Sequence, residues 1–240
     1  MARSVVLAGT ARCSGCLLPP RWCTCQGLDL VTSPLQVDIF LHFREQWRPT
    51  STGKLIERAV SGARTHIYRR DVPVDRQAIV DPNKELWILH PRGAPIPIPN
   101  ETNLFPRSDP TRLQVLLLDG SWCEASRLMR DVEGWGRAVS LPLSGQSRYW
   151  LREQKGEASH STIEALIGLM TLLGLEEAAT RLKLHFELHV FATLRARGRK
   201  AEAEEYLETS PIRHAVPELL ARLMARRPNE TSVPRVKPAE

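Results

Sequence analysis

Gln114-Val-Leu-Leu-Leu118-Asp119-Gly120-Ser121-Trp122 is the stretch on which the fold turns. An unbroken apolar run of this length reads as a strand covered by helices on both sides, and Asp119-Gly120 turns it directly into a helix over residues 121–130. Upstream, Val37-Asp-Ile-Phe-Leu-His-Phe43 alternates and then runs apolar, as a buried strand does. Residues 52–61 carry Leu55, Ile56, Ala59 and Val60 on one helical face. Thr65-His-Ile-Tyr68 and Leu86-Trp-Ile-Leu-His90 are further strands, the latter stopping at Pro91. The proline-rich residues 91–110 are expected as extended loop, and Ala138-Val-Ser-Leu141 as a short strand. From 161 to 197 the pattern is helical with a break near Gly174, and helical pieces follow at 201–207 and 217–226 before a frayed, proline-rich tail. Strands alternating with helices predict an α/β fold with a mainly parallel sheet, helices on both faces and C-terminal helices.

Composition bounds the class. The 240 residues are 42% apolar and 25% charged, which disfavours disorder and collagen-like repeats. The longest apolar stretch, 165–175, is too short to span a bilayer, and residues 5–8 are too short for a signal-peptide core. A cytoplasmic protein is expected. Lys+Arg 33 against Asp+Glu 27 leaves +6, a surplus that fits a polyanionic partner and equally a solvated basic face.

Four of the five cysteines crowd together as Cys13-Ser-Gly-Cys16 and Cys23-Thr-Cys25. An extracellular disulfide framework would spread them along the chain, whereas soft thiolates at short spacing suit one tetrahedral zinc ion. Such a closed site is structural, with no position left for substrate. Redox dithiols and unrelated free thiols are the alternatives. Cys123 is expected to be a small buried residue.

Three helix starts are rich in hydroxyls: Ser51-Thr52-Gly53-Lys54, Gly120-Ser121-Trp122, and His160-Ser161-Thr162-Ile163-Glu164. Ser121 with Glu124 and Ser161 with Glu164 have capping-box spacing, so these residues can simply satisfy orphan amides. Helix starts at the carboxyl ends of parallel strands also bind anionic groups. A phosphate loop is excluded at Ser51-Thr-Gly-Lys54, because the upstream glycine is missing and Leu55 stands where a magnesium-binding hydroxyl belongs. No Gly-x-Gly-x-x-Gly exists, so neither a nucleotide triphosphatase nor a dehydrogenase is supported.

Asp119-Gly-Ser-Trp122, ending an apolar strand and opening a helix, resembles the signature of the DTW-domain proteins, with Ser where Thr is usual. Cys13-x-x-Cys16-Leu-Leu-Pro-x-x-x-Cys23-x-Cys25 is similar to that family's N-terminal cluster. Arg48-Pro-Thr-Ser-Thr-Gly-Lys-Leu-Ile56 resembles its second block, and Tyr149-Trp-Leu-Arg152 with Ser161-Thr-Ile-Glu-Ala165 its last. The resemblance implies a tRNA-uridine aminocarboxypropyltransferase, which moves the 3-amino-3-carboxypropyl group of S-adenosylmethionine to N3 of a uridine in tRNA and releases 5′-methylthioadenosine. It implies a SPOUT-like fold, whose relatives often contain a trefoil knot. On this reading residues 1–34 are the zinc-binding segment, 35–200 the catalytic domain, and 201–240 helices and tail packed on it.

That chemistry assigns expected roles. Ser121, Ser161 and Thr162 would meet the donor's carboxylate, and Glu164 or Asp119 its ammonium. Asp119 is the first choice of base for the uridine N3 proton and His160 the second. Adenine would lie against Leu89-His90-Pro91-Arg92-Gly93 and Leu141-Pro-Leu-Ser-Gly145. Trp122 either stacks on a base or packs its helix on the sheet. Arg44, Arg48, Lys54, Arg148 and Arg152 are candidates for tRNA phosphates. The competing readings are a SPOUT-type RNA methyltransferase, a non-catalytic zinc-ribbon RNA-binding module, and a thiol-redox protein.

Overall fold

The computed structural model describes residues 11–96, 109–152 and 160–225. In chain order it holds β1 (Gln36–His42), α1 (Thr52–Ala59), β2 (Arg64–Tyr68), α2 (Arg76–Ile79), β3 (Glu85–Pro95), β4 (Leu113–Asp119), α3 (Trp122–Asp131) and β5 (Arg137–Ser140). The helices α4 (Thr162–Leu172), α5 (Glu176–Ala196), α6 (Lys200–Glu208), α7 (Ile212–Ala215) and α8 (Pro217–Met224) follow. The strands form one sheet of order β2-β1-β4-β3-β5, and every pairing is parallel. β4 lies at its centre and all seven of its residues are buried, as the apolar run requires.

Alternation along the strands splits the core in two. Ile39, Leu41, Val115, Leu117 and Leu89 face α1, α4 and α5, through Leu55, Ile56, Leu166, Leu169, Leu182 and Phe186. Phe40, Leu116, Leu118 and Ile88 face the other way, toward Ile79 of α2 and Leu128 of α3. Each fully buried apolar side chain stabilises the packing by roughly 1.5–3 kcal/mol. The larger core also takes in Cys16, Leu18 and Trp22 from the N-terminal segment and Tyr206, Leu219 and Leu223 from the last helices.

β3 departs from expectation. It continues through Pro91 to Pro95, with a register shift against β5 between Leu89 and Ala94. At such an irregularity proline's missing N–H leaves no ladder bond unmade. Gly93 is needed for close approach, but to protein: a Cβ there would lie 2.4 Å from the Val139 backbone nitrogen. Gly93 thus seats β3 on β5 and is not a loop glycine opened toward a ligand. Residues 97–108 of the expected loop, and the C-terminal tail from 226, lie outside the described residues.

A buried ion pair ties β1 to β2 and β4. Asp38 is fully buried and accepts two bonds from Arg64 (2.8 and 2.9 Å), one from His66 Nε2 (2.7 Å) and one from Gln114 (2.8 Å). Burial alone would raise this carboxyl, but the bonds from His66, Arg64 and Gln114 outweigh it and hold Asp38 at about 2. Its stabilisation is therefore complete above the unfolded value of ~3.9 and is lost as pH falls through the folded value. Asp38→Ala is expected to cost about 1–3 kcal/mol at neutral pH, because buried Gln114 loses an acceptor while half-exposed Arg64 turns to water. Denaturant unfolding should also show the wild-type advantage over Asp38→Ala shrinking between about pH 4 and about pH 2. An advantage that is flat across that range would mean Asp38 is not paired in this way.

Candidate active site and metal cluster

Strand order alone marks where a ligand binds. After β1 the chain crosses to α1 on the larger-core face and returns to β2; after β4 it crosses to α3 on the opposite face and then to β5 on the other side. The carboxyl ends of β1 and β4, paired at Leu41 and Asp119, therefore flank a topological switch point where the loops diverge.

Asp119 sits at that point, 4% exposed. Its Oδ2 accepts from Ser51 Oγ (2.9 Å), and its Oδ1 from Thr52 Oγ1 (3.1 Å) and Thr162 Oγ1 (2.6 Å). One carboxylate thereby gathers the starts of α1 and α4, while Gly120 and Ser121 carry the chain from it into α3. Ser51 also accepts from the Lys54 backbone N–H as the cap of α1. Gly53 completes the fit, since a Cβ on it would stand 2.8 Å from Asp119 Cγ.

The loop before α1 is pinned residue by residue. His189 donates from Nε2 to the Pro49 carbonyl (2.7 Å), and Tyr149 donates to the Thr50 carbonyl. Arg152 reaches both Thr50 Oγ1 (3.3 Å) and buried Glu45, and Arg48 also pairs with Glu45. His189 is held down at about 3 by burial and then by the Arg58 charge, so it stays neutral. Arg58 donates to its Nδ1 (3.1 Å), which fixes the proton on Nε2.

The capping-box spacings are realised at both helix starts. Glu124 accepts from the Ser121 N–H (2.8 Å), and Glu164 accepts from the N–H and hydroxyl of Ser161 (2.7 Å each). Glu164 also takes Ser147 Oγ and the Arg148 N–H (2.7 Å), so its carboxylate is filled by the chain's own donors and cannot meet an ammonium. Arg148 and Arg152 turn inward rather than toward phosphates. Arg148 forks onto buried Glu187 (3.2 and 3.0 Å) and bonds Thr209 and the Tyr206 carbonyl, which spends its donors inside the fold.

Other expected site residues lie apart from this node. His90 is buried on β3 beyond β4, its Nδ1 accepting from the Arg92 N–H (3.2 Å); burial and then Arg92 lower its pKa. Pro91 is exposed, and Leu141 follows β5 in a loop whose Leu143 packs against Gly168 of α4. His160 is half-buried before α4, and nothing among the described residues orients its ring. Trp122 is 41% exposed, so it does not pack its helix on the sheet, and Cys123, expected buried, is exposed beside it. The first turn of α3 stands clear of the sheet; only from Leu128 onward does this helix enter the core.

Sequence reasoning missed two groups at the same edge. His42 ends β1, buried, with Nδ1 3.1 Å from Glu124 Oε1. Burial lowers its pKa, with Arg44 and Arg127 acting the same way and Glu124 and Glu45 opposing. A histidine closing an apolar strand was the available signal. Trp47 is 74% exposed between Arg44 and Arg48, and Phe43 lies under the guanidinium groups of Arg44 and Arg69 (5.6 and 5.7 Å).

Cys13, Cys16, Cys23 and Cys25 converge with all sulfurs within 4.8 Å of one another. Cys13–Cys25 and Cys16–Cys23 separations of 3.6 and 3.8 Å suit a tetrahedron of ~2.3 Å metal–sulfur bonds, whose corners stand about 3.8 Å apart. The cluster can hold a metal ion. Arg58 donates to Cys25 Sγ (3.8 Å) and to Thr24, and so joins the cluster to His189 and the Pro49 carbonyl.

The DTW domain family model matches residues 10–194, which spans the cysteine cluster, the Asp119 node and most of α5. No solved structure matches the chain.

Gly53→Ala should lower stability by about 1–3 kcal/mol in thermal or denaturant unfolding, because the added methyl collides with a buried carboxylate that cannot retreat. Unchanged stability would place Asp119 elsewhere. Elemental analysis of protein purified without chelators should find one metal ion per chain, lost in Cys16→Ser; a metal-free, fully folded wild type would exclude the cluster as a metal site.

Proposed function

Because the chain belongs to the DTW-domain family, we propose that it transfers the 3-amino-3-carboxypropyl group of S-adenosylmethionine to N3 of a uridine in tRNA, releasing 5′-methylthioadenosine. Membership is consistent with tRNA modification, and the specific transfer is our reading. The observation that carries it is the Asp119 node: three hydroxyls from two helix starts locked around one carboxylate at the sheet's switch point. Such a preset site can orient the donor so that its γ-carbon rather than its methyl faces the nucleophile.

In this reading Ser121 and the free amides of α3 and α4 meet the donor carboxylate. Asp119 has three of its roughly four acceptor positions filled, which leaves one for the donor ammonium or a proton. Its main work is to hold Ser51, Thr52 and Thr162 in register. The exposed Trp47 and Trp122, with Arg44 and Arg69 nearby on the strand ends, suit a splayed base and its phosphates. Zinc is the metal that the four thiolates fit best, and it supplies structure rather than chemistry. The division at residues 34 and 200, the SPOUT-like knot and a cytoplasmic location belong to the same reading; among the described residues no helix is long and apolar enough to cross a membrane.

Incubation of the protein with unmodified tRNA transcripts and S-adenosylmethionine, followed by nucleoside mass spectrometry, should yield aminocarboxypropyl-uridine and methylthioadenosine together. S-adenosylhomocysteine with a methylated base would establish the methyltransferase instead, and tRNA binding without any product the non-catalytic module. Affinity for tRNA should fall steeply with salt, and Trp47→Ala should weaken it by ~1–3 kcal/mol.

A further inference from the structure

We propose that Arg58 is a positioning residue that couples donor binding at the Asp119 node to metal occupancy of the cysteine cluster; this rests on the donor reading given above. Arg58 lies in the last turn of α1. The other end of the same helix carries Thr52 and its cap Ser51, both bonded to Asp119. One short helix therefore touches the cluster at one end and the node at the other.

Both arms of the guanidinium are engaged. Nη1 donates to Cys25 Sγ (3.8 Å) and the Thr24 carbonyl (3.3 Å), and Nη2 to Thr24 Oγ1 (3.0 Å) and His189 Nδ1 (3.1 Å). His189, 3% exposed, passes the contact on with one polarity. A guanidinium only donates and a carbonyl only accepts, so the ring takes a bond at Nδ1 and gives one from Nε2 to the Pro49 carbonyl (2.7 Å). Ser51 comes two residues after Pro49. The cluster thus reaches the hydroxyl loop by two routes, α1 itself and His189.

Neither end has slack. A Cβ on Gly15 would stand 3.0 Å from Cys25 Sγ, and one on Gly53 2.8 Å from Asp119 Cγ. Gly15, Cys16 and Leu17 line the same cavity as Pro49, Ser51 and Lys54, and its volume of about 10 Å³ holds at most one water. Packing this close transmits a displacement rather than absorbing it. The cluster loop has reason to move, because Leu17 stands at φ 60°. That left-handed conformation is unfavourable for a leucine and persists only while its surroundings impose it.

Four thiolates closed on a divalent ion would impose it, and their net negative charge strengthens the pull on Arg58. Arg58 and His189 make no bond to the donor; they set where Ser51 and Thr52 stand when it arrives. Metal and donor are then linked, and each tightens the binding of the other by the same factor.

The test measures metal retention and involves no turnover. The metal-loaded full chain is titrated with EDTA, with and without saturating S-adenosylmethionine, and the ion lost is quantified by elemental analysis. The donor should tighten retention by roughly 5–150-fold in the wild type. Arg58→Lys keeps the charge but cannot reach Thr24 and His189 together, and His189→Leu removes the second route. Each variant should still bind ion and donor separately while the donor's effect on retention disappears; circular dichroism reports the fold, and should one variant unfold, the other decides. Wild-type retention indifferent to the donor, or a folded variant with the full wild-type coupling, overturns the assignment. A wild type that binds no S-adenosylmethionine in calorimetry overturns the donor reading as well, whereas donor binding without coupling overturns this assignment alone.

Discussion

A carboxylate cannot be buried alone, and Asp119 shows how the architecture answers that constraint. Hydrogen bonds to a charged group are worth about 1.5–3 kcal/mol each, and an unpaired buried charge costs more than any one of them returns. Asp119 is therefore stable only while Ser51, Thr52 and Thr162 all reach it. These residues come from segments far apart in sequence, so satisfying one side chain fixes the relative placement of two helices on the sheet. Gly53 sets how near α1 comes, and Tyr149, Arg152 and His189 hold the loop that feeds it.

The diverging crossovers after β1 and β4 give this node its surroundings. One face of the sheet presents Asp119 to hydroxyls of α1 and α4; the other presents His42 to Glu124 of α3. Two carboxylates thus stand on opposite faces of the sheet at this edge, one tying elements together and the other 3.1 Å from the His42 ring. The cysteine cluster joins through Arg58, which touches Cys25, Thr24 and His189, so the N-terminal segment bears on the Pro49 carbonyl that precedes the hydroxyl loop.

What could be read in the sequence was the short-range part. Apolar runs gave all five strands and capping-box spacing located α3 and α4, because strand burial and helix caps depend on neighbours a few residues away. The four cysteines were legible for the same reason. Partners distant in sequence were not. Nothing local distinguishes Arg148, which forks onto Glu187, from an arginine free for phosphate, and nothing near Cys123 announces that α3's first turn stands clear of the core. Pro91 misled because proline stops a regular strand but is tolerated where the register shifts. The proximity of His42 to Glu124 was likewise illegible, because the two lie eighty-odd residues apart and only the β1–β4 pairing brings them together.

The spacing of the Asp119 ligands has a consequence for how the protein is made. Ser51, Thr52 and Asp119 all emerge from the ribosome before Thr162, so a growing chain carries an acidic group short of one hydroxyl until the start of α4 has been synthesised. The Asp119 node is thus completed late, and a polypeptide that ends before residue 162 lacks the last of its three hydroxyls.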